Sequence, residues 1–169
     1  TLAYLEAENA HTDAATAHLE PLRQQIFDEI KSRTLETDLS VPTRHGAWWY
    51  YARTVEGQQY AIRCRCAVAD PADWTPPTLD ADSEIPGEQV LLDSNVEADG
   101  HEFFSLGAFS VSDDENFLAW SVDTQGDERY TIRVKDLRTG EVLSDEITGA
   151  SGGATFSADG THVFYTTVD

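Results

Sequence analysis

A mainly β chain with an N-terminal helical extension, arranged as an incomplete β-propeller, is the architecture this sequence predicts. Three observations predict it. Residues 3–33 contain no glycine and are dominated by Ala, Leu, Glu and Gln. From residue 39 onward the pattern changes to short alternating runs separated by turn residues. The stretch around Ser112 then recurs, without a gap, 45 residues later around Ser157.

The helical stretch divides at Pro21, whose fixed φ suits a first helical turn, and Glu20 beside it complements a helix N-terminus. In the second helix Leu22, Ile26, Phe27 and Ile30 fall at i, i+4, i+5 and i+8, which is one apolar stripe. Burying all four is worth roughly 6–12 kcal/mol. The first helix carries a thinner stripe, Tyr4 and Leu5 among alanines. Residues 1–38 are therefore expected to dock on something larger, with Leu22, Ile26, Phe27 and Ile30 as the packing residues.

Residues 39–169 read as β structure. Ala47–Arg53, rich in aromatics, is predicted as a strand, Glu56-Gly57 as a turn, and Tyr60–Cys66 as the second strand of a hairpin. Tyr60, Ile62, Cys64 and Cys66 alternate with Ala61, Arg63 and Arg65, so one face is expected to be polar. Residues 70–88 hold four of the six prolines and are predicted as a loop. Val90–Leu92 is a short strand, after which Asp93-Ser94-Asn95 caps one helical turn ending at Gly100. Further strands are predicted at 103–111, 117–122, 130–136, 142–147, 153–156 and 162–167.

The repeat joins these strands into a larger unit. Val111–Ser121 and Phe156–Thr166 each carry a Ser, an Asp two residues later, a tight turn and an apolar strand with an aromatic near its end. Four strands with their turns fit that period, as in a propeller blade of about 40–50 residues. Two similar hairpins in a sandwich would give the same signal. A blade buries its faces only against neighbours, so further repeats are expected. The chain starts at Thr1, has no Met, and its closing run Phe164–Asp169 reads as a strand with no tail. It is expected to be a fragment that stops inside its architecture.

Net charge is −20, from 31 acidic against 11 basic residues, with Lys31 and Lys135 the only lysines. Such a surface repels phosphate backbones and sets nucleic-acid binding aside. It attracts cations and basic peptides, although excess acid also serves plain solubility. No apolar run approaches the roughly 18 residues of a membrane span. Cys64 and Cys66 lie two apart on a strand, a spacing ill suited to a disulfide, and with no second Cys or His pair they make no zinc site. They read as reduced core residues, which suits a cytoplasmic location.

Gly149-Ala150-Ser151-Gly152-Gly153 matches the written form of a nucleophile elbow, but a strand follows rather than the helix an elbow needs. It is expected to be an inter-blade connection. His11, His18, His45, His101 and His162 show no metal-ligand spacing, and the acidic run at 80–84 lacks the glycine of a calcium loop. No catalytic, cofactor or metal residue is therefore assigned. Trp48, Trp49, Tyr50 and Tyr51 read as core on one face and half-covered on the other, with a peptide-binding wall as the alternative. The acidic loop 80–88 and the turn Asp113-Asp114-Glu115 read as solvated, or as steering groups for cationic peptides.

Several blocks resemble one enzyme family in order. They are Tyr4–Ala10; Val41-Pro42 with Trp49–Arg53 and Glu56–Tyr60; Glu88–Asn95 with Ala98–His101; and Gly107–Asp114, Leu118–Asp123 and Gly126–Thr131. Together they span nearly the whole chain and resemble the N-terminal region of prolyl oligopeptidase-family serine peptidases of the oligopeptidase B type. Asp113 departs from the Pro such blades often carry, which removes only a rigid turn residue. The resemblance implies a parent enzyme with an α/β-hydrolase domain carrying Ser, Asp and His, and a propeller of about seven blades as a filter for short peptides. Cleavage after Lys or Arg is implied for substrates that are short basic peptides. The catalytic groups would lie beyond Asp169, in a C-terminal hydrolase domain against which residues 1–38 pack. A non-enzymatic propeller scaffold that binds a partner protein is the alternative.

Overall fold

In the computed structural model, residues 1–167 are described; the last two residues of the predicted closing strand lie outside them. The chain divides into two compact units, Thr1–Glu36 and Thr37–Asp169.

The first unit is helical. Helix α1 covers Leu2–Thr16, a 3-10 turn covers Ala17–Leu19, and α2 covers Glu20–Ser32 with Pro21 in its first turn. Thr16 interrupts the run. Its hydroxyl donates back to the Thr12 carbonyl at 2.7 Å and accepts from Arg23 Nη2 at 2.7 Å. Such back-bonding bends a helix. Glu20 in the first turn of α2 and Lys31 in the last oppose the helix dipole. Pairs such as Arg33–Glu29 at 3.6 Å are exposed and worth only a few tenths of a kcal/mol. No residue of either helix is buried.

The second unit begins with a five-stranded antiparallel sheet. Its strands are β1 (Asp38–Leu39), β2 (Thr43–His45), β3 (Trp48–Thr54), β4 (Ile62–Ala67) and β5 (Gln89–Asp93). The order is β1-β3-β4-β5, with β2 also on β3. The pleat sends Trp49 and Tyr51 of β3 and Ile62, Cys64 and Cys66 of β4 into one core, as the alternation predicts. Leu79 and Ile85 of the proline-rich segment pack against that core, so the segment is draped rather than free. The predicted polar face of β4 is half right. Arg63 is exposed, but Arg65 is only 3 % exposed, because it is covered by the next sheet. Helix α3 (Ser94–Ala98) follows, capped by Asp93, whose carboxylate accepts from Asn95 N at 2.9 Å.

The second sheet has the order β10-β9-β8-β7-β6. Its strands are β6 (Ser105–Val111), β7 (Phe117–Asp123), β8 (Tyr130–Asp136), β9 (Ile147–Phe156) and β10 (Val163–Thr167). Leu118, Trp120 and Val122 of β7 meet Leu91 and Leu92 of β5, Phe104 and Leu137 in a core that joins the two sheets. Each such side chain contributes about 1.5–3 kcal/mol when fully buried.

The predicted strand at 142–147 is not formed as such: Val142 makes one isolated bridge to Lys135, and regular pairing resumes at Ile147. Nor is 149–153 a connection outside the strands. It lies within the ten-residue β9. Gly149 and Gly152 have φ of 73° and 90°, so the strand bends there without leaving the ladder. Its first half pairs with β8, its second half with β10, and Ala150 pairs with both Tyr130 and Thr167. One strand thus carries the chain from one blade into the next.

The register shows the repeat directly. Phe109↔Trp120, Ser110↔Ala119 and Val111↔Leu118 recur 45 residues later as Ala154↔Tyr165, Thr155↔Phe164 and Phe156↔Val163. The inner strands β6 and β9 of these two blades are tied by Ser121. Its buried hydroxyl accepts from Ala108 N at 2.7 Å and donates to the Gly152 carbonyl at 2.6 Å. Tyr130 lies over Gly107 and its repeat partner Gly152. A Cβ on Gly107 would come within 2.8 Å of the Tyr130 ring.

Candidate functional site

Leu22, Ile26, Phe27 and Ile30 share one face of α2, as their spacing requires. They are 52 %, 49 %, 59 % and 62 % exposed. A four-residue apolar stripe is thus left open to solvent on a 13-residue helix. On the β unit, strand β10 presents Phe164 and Tyr165 to solvent at the end of the second sheet.

The two Ser-x-Asp turns are the most regular polar feature. Ser112 Oγ donates to Asp114 Oδ1 at 2.6 Å and accepts from Phe117 N at 2.9 Å. Ser157 Oγ donates to Asp159 Oδ1 at 2.6 Å and accepts from His162 N at 3.0 Å. Asp114 accepts from Asn116 N and Asp159 from Thr161 N, in the same positions. Glu115 and Gly160 occupy the matching left-handed turn position, with φ of 63° and 67°. The serine hydroxyl pulls the Asp159 carboxyl down to about 2, aided by Thr161. These turns shape the blades and place no nucleophile.

Ser151, from the elbow-like segment, sits within β9, and its hydroxyl bonds the Thr166 carbonyl and hydroxyl. Among the described residues no hydrogen bond joins it to a histidine. His162 Nδ1 is engaged by Thr161 Oγ1 at 2.7 Å, and His45 meets the Tyr50 ring edge-on. Among the described residues no group of three His, Cys, Asp or Glu is placed to hold a metal ion. Cys64 and Cys66 are free and buried; burial pushes the Cys64 thiol up to about 11. Trp48 to Tyr51 alternate between half-buried and buried, which is the core arrangement rather than an open wall.

Sequence reasoning missed a polar cluster where the two sheets meet. Arg65 Nε donates to Gln89 Oε1 at 2.8 Å, while Nη1 donates to the Glu115 carbonyl at 3.0 Å and the Tyr50 hydroxyl at 3.3 Å. Its guanidinium lies 4.0 Å from the Trp48 ring centroid. Gln89 Nε2 in turn donates to the Leu137 carbonyl at 2.7 Å, and Glu115 Oε1 accepts from Ala47 N at 2.8 Å. Burial pushes the Tyr50 hydroxyl up, against the opposing pull of Arg65. Residue spacing carries no trace of this cluster, since its members come from β3, β4, β5, the β6–β7 turn and the segment just after β8.

Comparison with known proteins agrees with this architecture. The family model described as "Prolyl oligopeptidase, N-terminal beta-propeller domain" matches residues 1–169. The chain is 43 % identical over 169 residues to a dipeptidyl aminopeptidase BI of Pseudoxanthomonas mexicana, covering 99 % of this chain and 23 % of that protein. It is 33 % identical over 168 residues to a protease 2 of Moraxella lacunata, covering 98 % and 23 %. Oligopeptidase B from Leishmania major superimposes with a TM-score of 0.83 at 30 % identity, over 99 % of this chain and 22 % of that one. The chain therefore spans less than a quarter of the length of these relatives. With the blade repeat, its register and the matching family model in hand, the chain belongs to the prolyl oligopeptidase family and corresponds to its N-terminal β-propeller region.

Proposed function

We propose that this chain is the N-terminal part of a serine oligopeptidase that cleaves short peptides after Lys or Arg. In this reading residues 1–38 form a helical extension that packs on an α/β-hydrolase domain of the same polypeptide. Residues 39–169 supply the first blades of a propeller that limits access to the hydrolase. The observations that carry it are the exposed α2 stripe, Leu22, Ile26, Phe27 and Ile30, and the exposed aromatics Phe164 and Tyr165 on the edge strand of the second sheet. Both are surfaces that a larger polypeptide would cover. The likeness to oligopeptidase B supports the basic-residue preference, and the net charge of −20 suits cationic substrates. Two free, buried cysteines support a cytoplasmic setting. The 43 % identity to a dipeptidyl aminopeptidase favours a second reading, release of dipeptides from a free N-terminus.

The two readings part on one assay of the full-length polypeptide. An amino-blocked arginyl chromogenic substrate should be hydrolysed under the first, and only dipeptidyl substrates with a free amine under the second. Turnover by neither would remove both. The 169-residue chain alone should turn over neither substrate, and inhibitor-sensitive hydrolysis by clean protein would overturn its placement as a non-catalytic part.

A further inference from the structure

We propose that the cleft beside Arg65 is a binding site for a monocarboxylate. It is independent of the peptidase reading. The cleft has a volume of about 450 Å³, and Trp48, Arg65, Gln89, Glu115, Asn116 and Arg138 are among its lining residues. Arg65 is only 3 % exposed, yet no carboxylate among the described residues lies within ion-pair distance of it. Its three hydrogen bonds go to neutral oxygens, of Gln89, Tyr50 and the Glu115 main chain. Buried charges in proteins are ordinarily paired, because neutral acceptors offset only part of the desolvation cost.

The two acidic neighbours are already engaged. Glu115 Oε1 holds the Ala47 N–H, and Asp114 accepts from Ser112 and from the Asn116 main chain and side chain. Nη2 of Arg65 has no partner among the described residues, and the side chain forms part of the cleft wall. The Trp48 ring on one side and the bonds from Nε and Nη1 fix the guanidinium plane, so the two Nη2 donors are held in place before a ligand arrives. Arg138 adds a second guanidinium to the wall, although Asp136 pairs with it at 2.6 Å. A flat, singly charged oxyanion fits the pre-oriented Nη2 group, which carries two N–H donors. A dianion such as phosphate fits poorly, because Asp114 and Glu115 border the same space.

The test is a titration of the 169-residue chain with sodium acetate at constant ionic strength. The Arg65 Nε–H and Trp48 indole resonances are followed by NMR, with acetamide and sodium chloride as controls. Expected is a saturable shift of both resonances with a millimolar dissociation constant, absent with acetamide. Arg65→Lys keeps the charge but loses the planar fork, and should weaken binding about tenfold. Unmoved resonances, a shift linear in acetate, or the same shift with acetamide would each overturn the site. These outcomes need only the unmodified chain, so they hold even if Arg65→Lys fails to fold. N-acetylglycine then separates the sources: binding equal to acetate identifies a free peptide end, and binding of acetate alone identifies a carboxylate of side-chain size.

Discussion

Ser112 and Ser157 make the same hydrogen bonds at the same step of the repeat but differ in burial, and this sets up a controlled comparison. Ser112 is fully buried, whereas Ser157 is partly exposed. Replacing either with Ala removes one acceptor from a main-chain N–H, Phe117 or His162, and one donor from an aspartate. At Ser157 water can take over both roles, so the loss is that of an ordinary exchanged hydrogen bond, about 0.5–1.5 kcal/mol. At Ser112, which is fully buried, water replaces the lost hydroxyl less readily, so the Phe117 N–H is left short of an acceptor and the penalty rises to about 1–3 kcal/mol. Two measurements read this: the urea midpoint of each variant, and native-state hydrogen exchange at the Phe117 and His162 amides. Ser112→Ala should lower the midpoint more and speed exchange at Phe117 more than Ser157→Ala does at His162. Equal effects at the two positions, or a larger one at Ser157, would refute the claim that burial rather than the bond itself sets the cost.

Gly46 has a φ of 54°, and a Cβ there would collide with Glu115 Oε1, which also holds the Ala47 N–H. Gly46→Ala should destabilise by about 2–3 kcal/mol from backbone strain and lost contact together. The double variant with Glu115→Ala should cost less than the sum of the singles in urea melts, because the collision is then gone. Asp136 is held down at about 2 by Arg138, and Asp159 at about 2 by Ser157. Carboxyls depressed in the folded state contribute stability above their unfolded value near 3.9, and that stability is lost as pH falls through the folded value. Thermal midpoints should therefore fall progressively between about pH 4 and pH 2, and a midpoint that is flat across that window would contradict these assignments.

What the chain determines locally was legible from residue order. Pro21 and the spacing of Leu22, Ile26, Phe27 and Ile30 define α2 and its apolar face, because helix geometry maps sequence separation onto one side of a cylinder. The alternation through β3 and β4 separates core from surface for the same reason, at period two. The Ser-x-Asp repeat was visible because each turn closes on bonds between residues at most five apart. Long-range packing decided the rest. Arg65 follows the polar rhythm of β4 and is nonetheless buried, because the β6–β7 turn and Gln89 close over it. Gly149–Gly153 reads as a linker but remains strand, because β8 and β10 hydrogen-bond to either end of it. Such outcomes depend on which distant segments meet, and a one-dimensional pattern holds no term for that meeting.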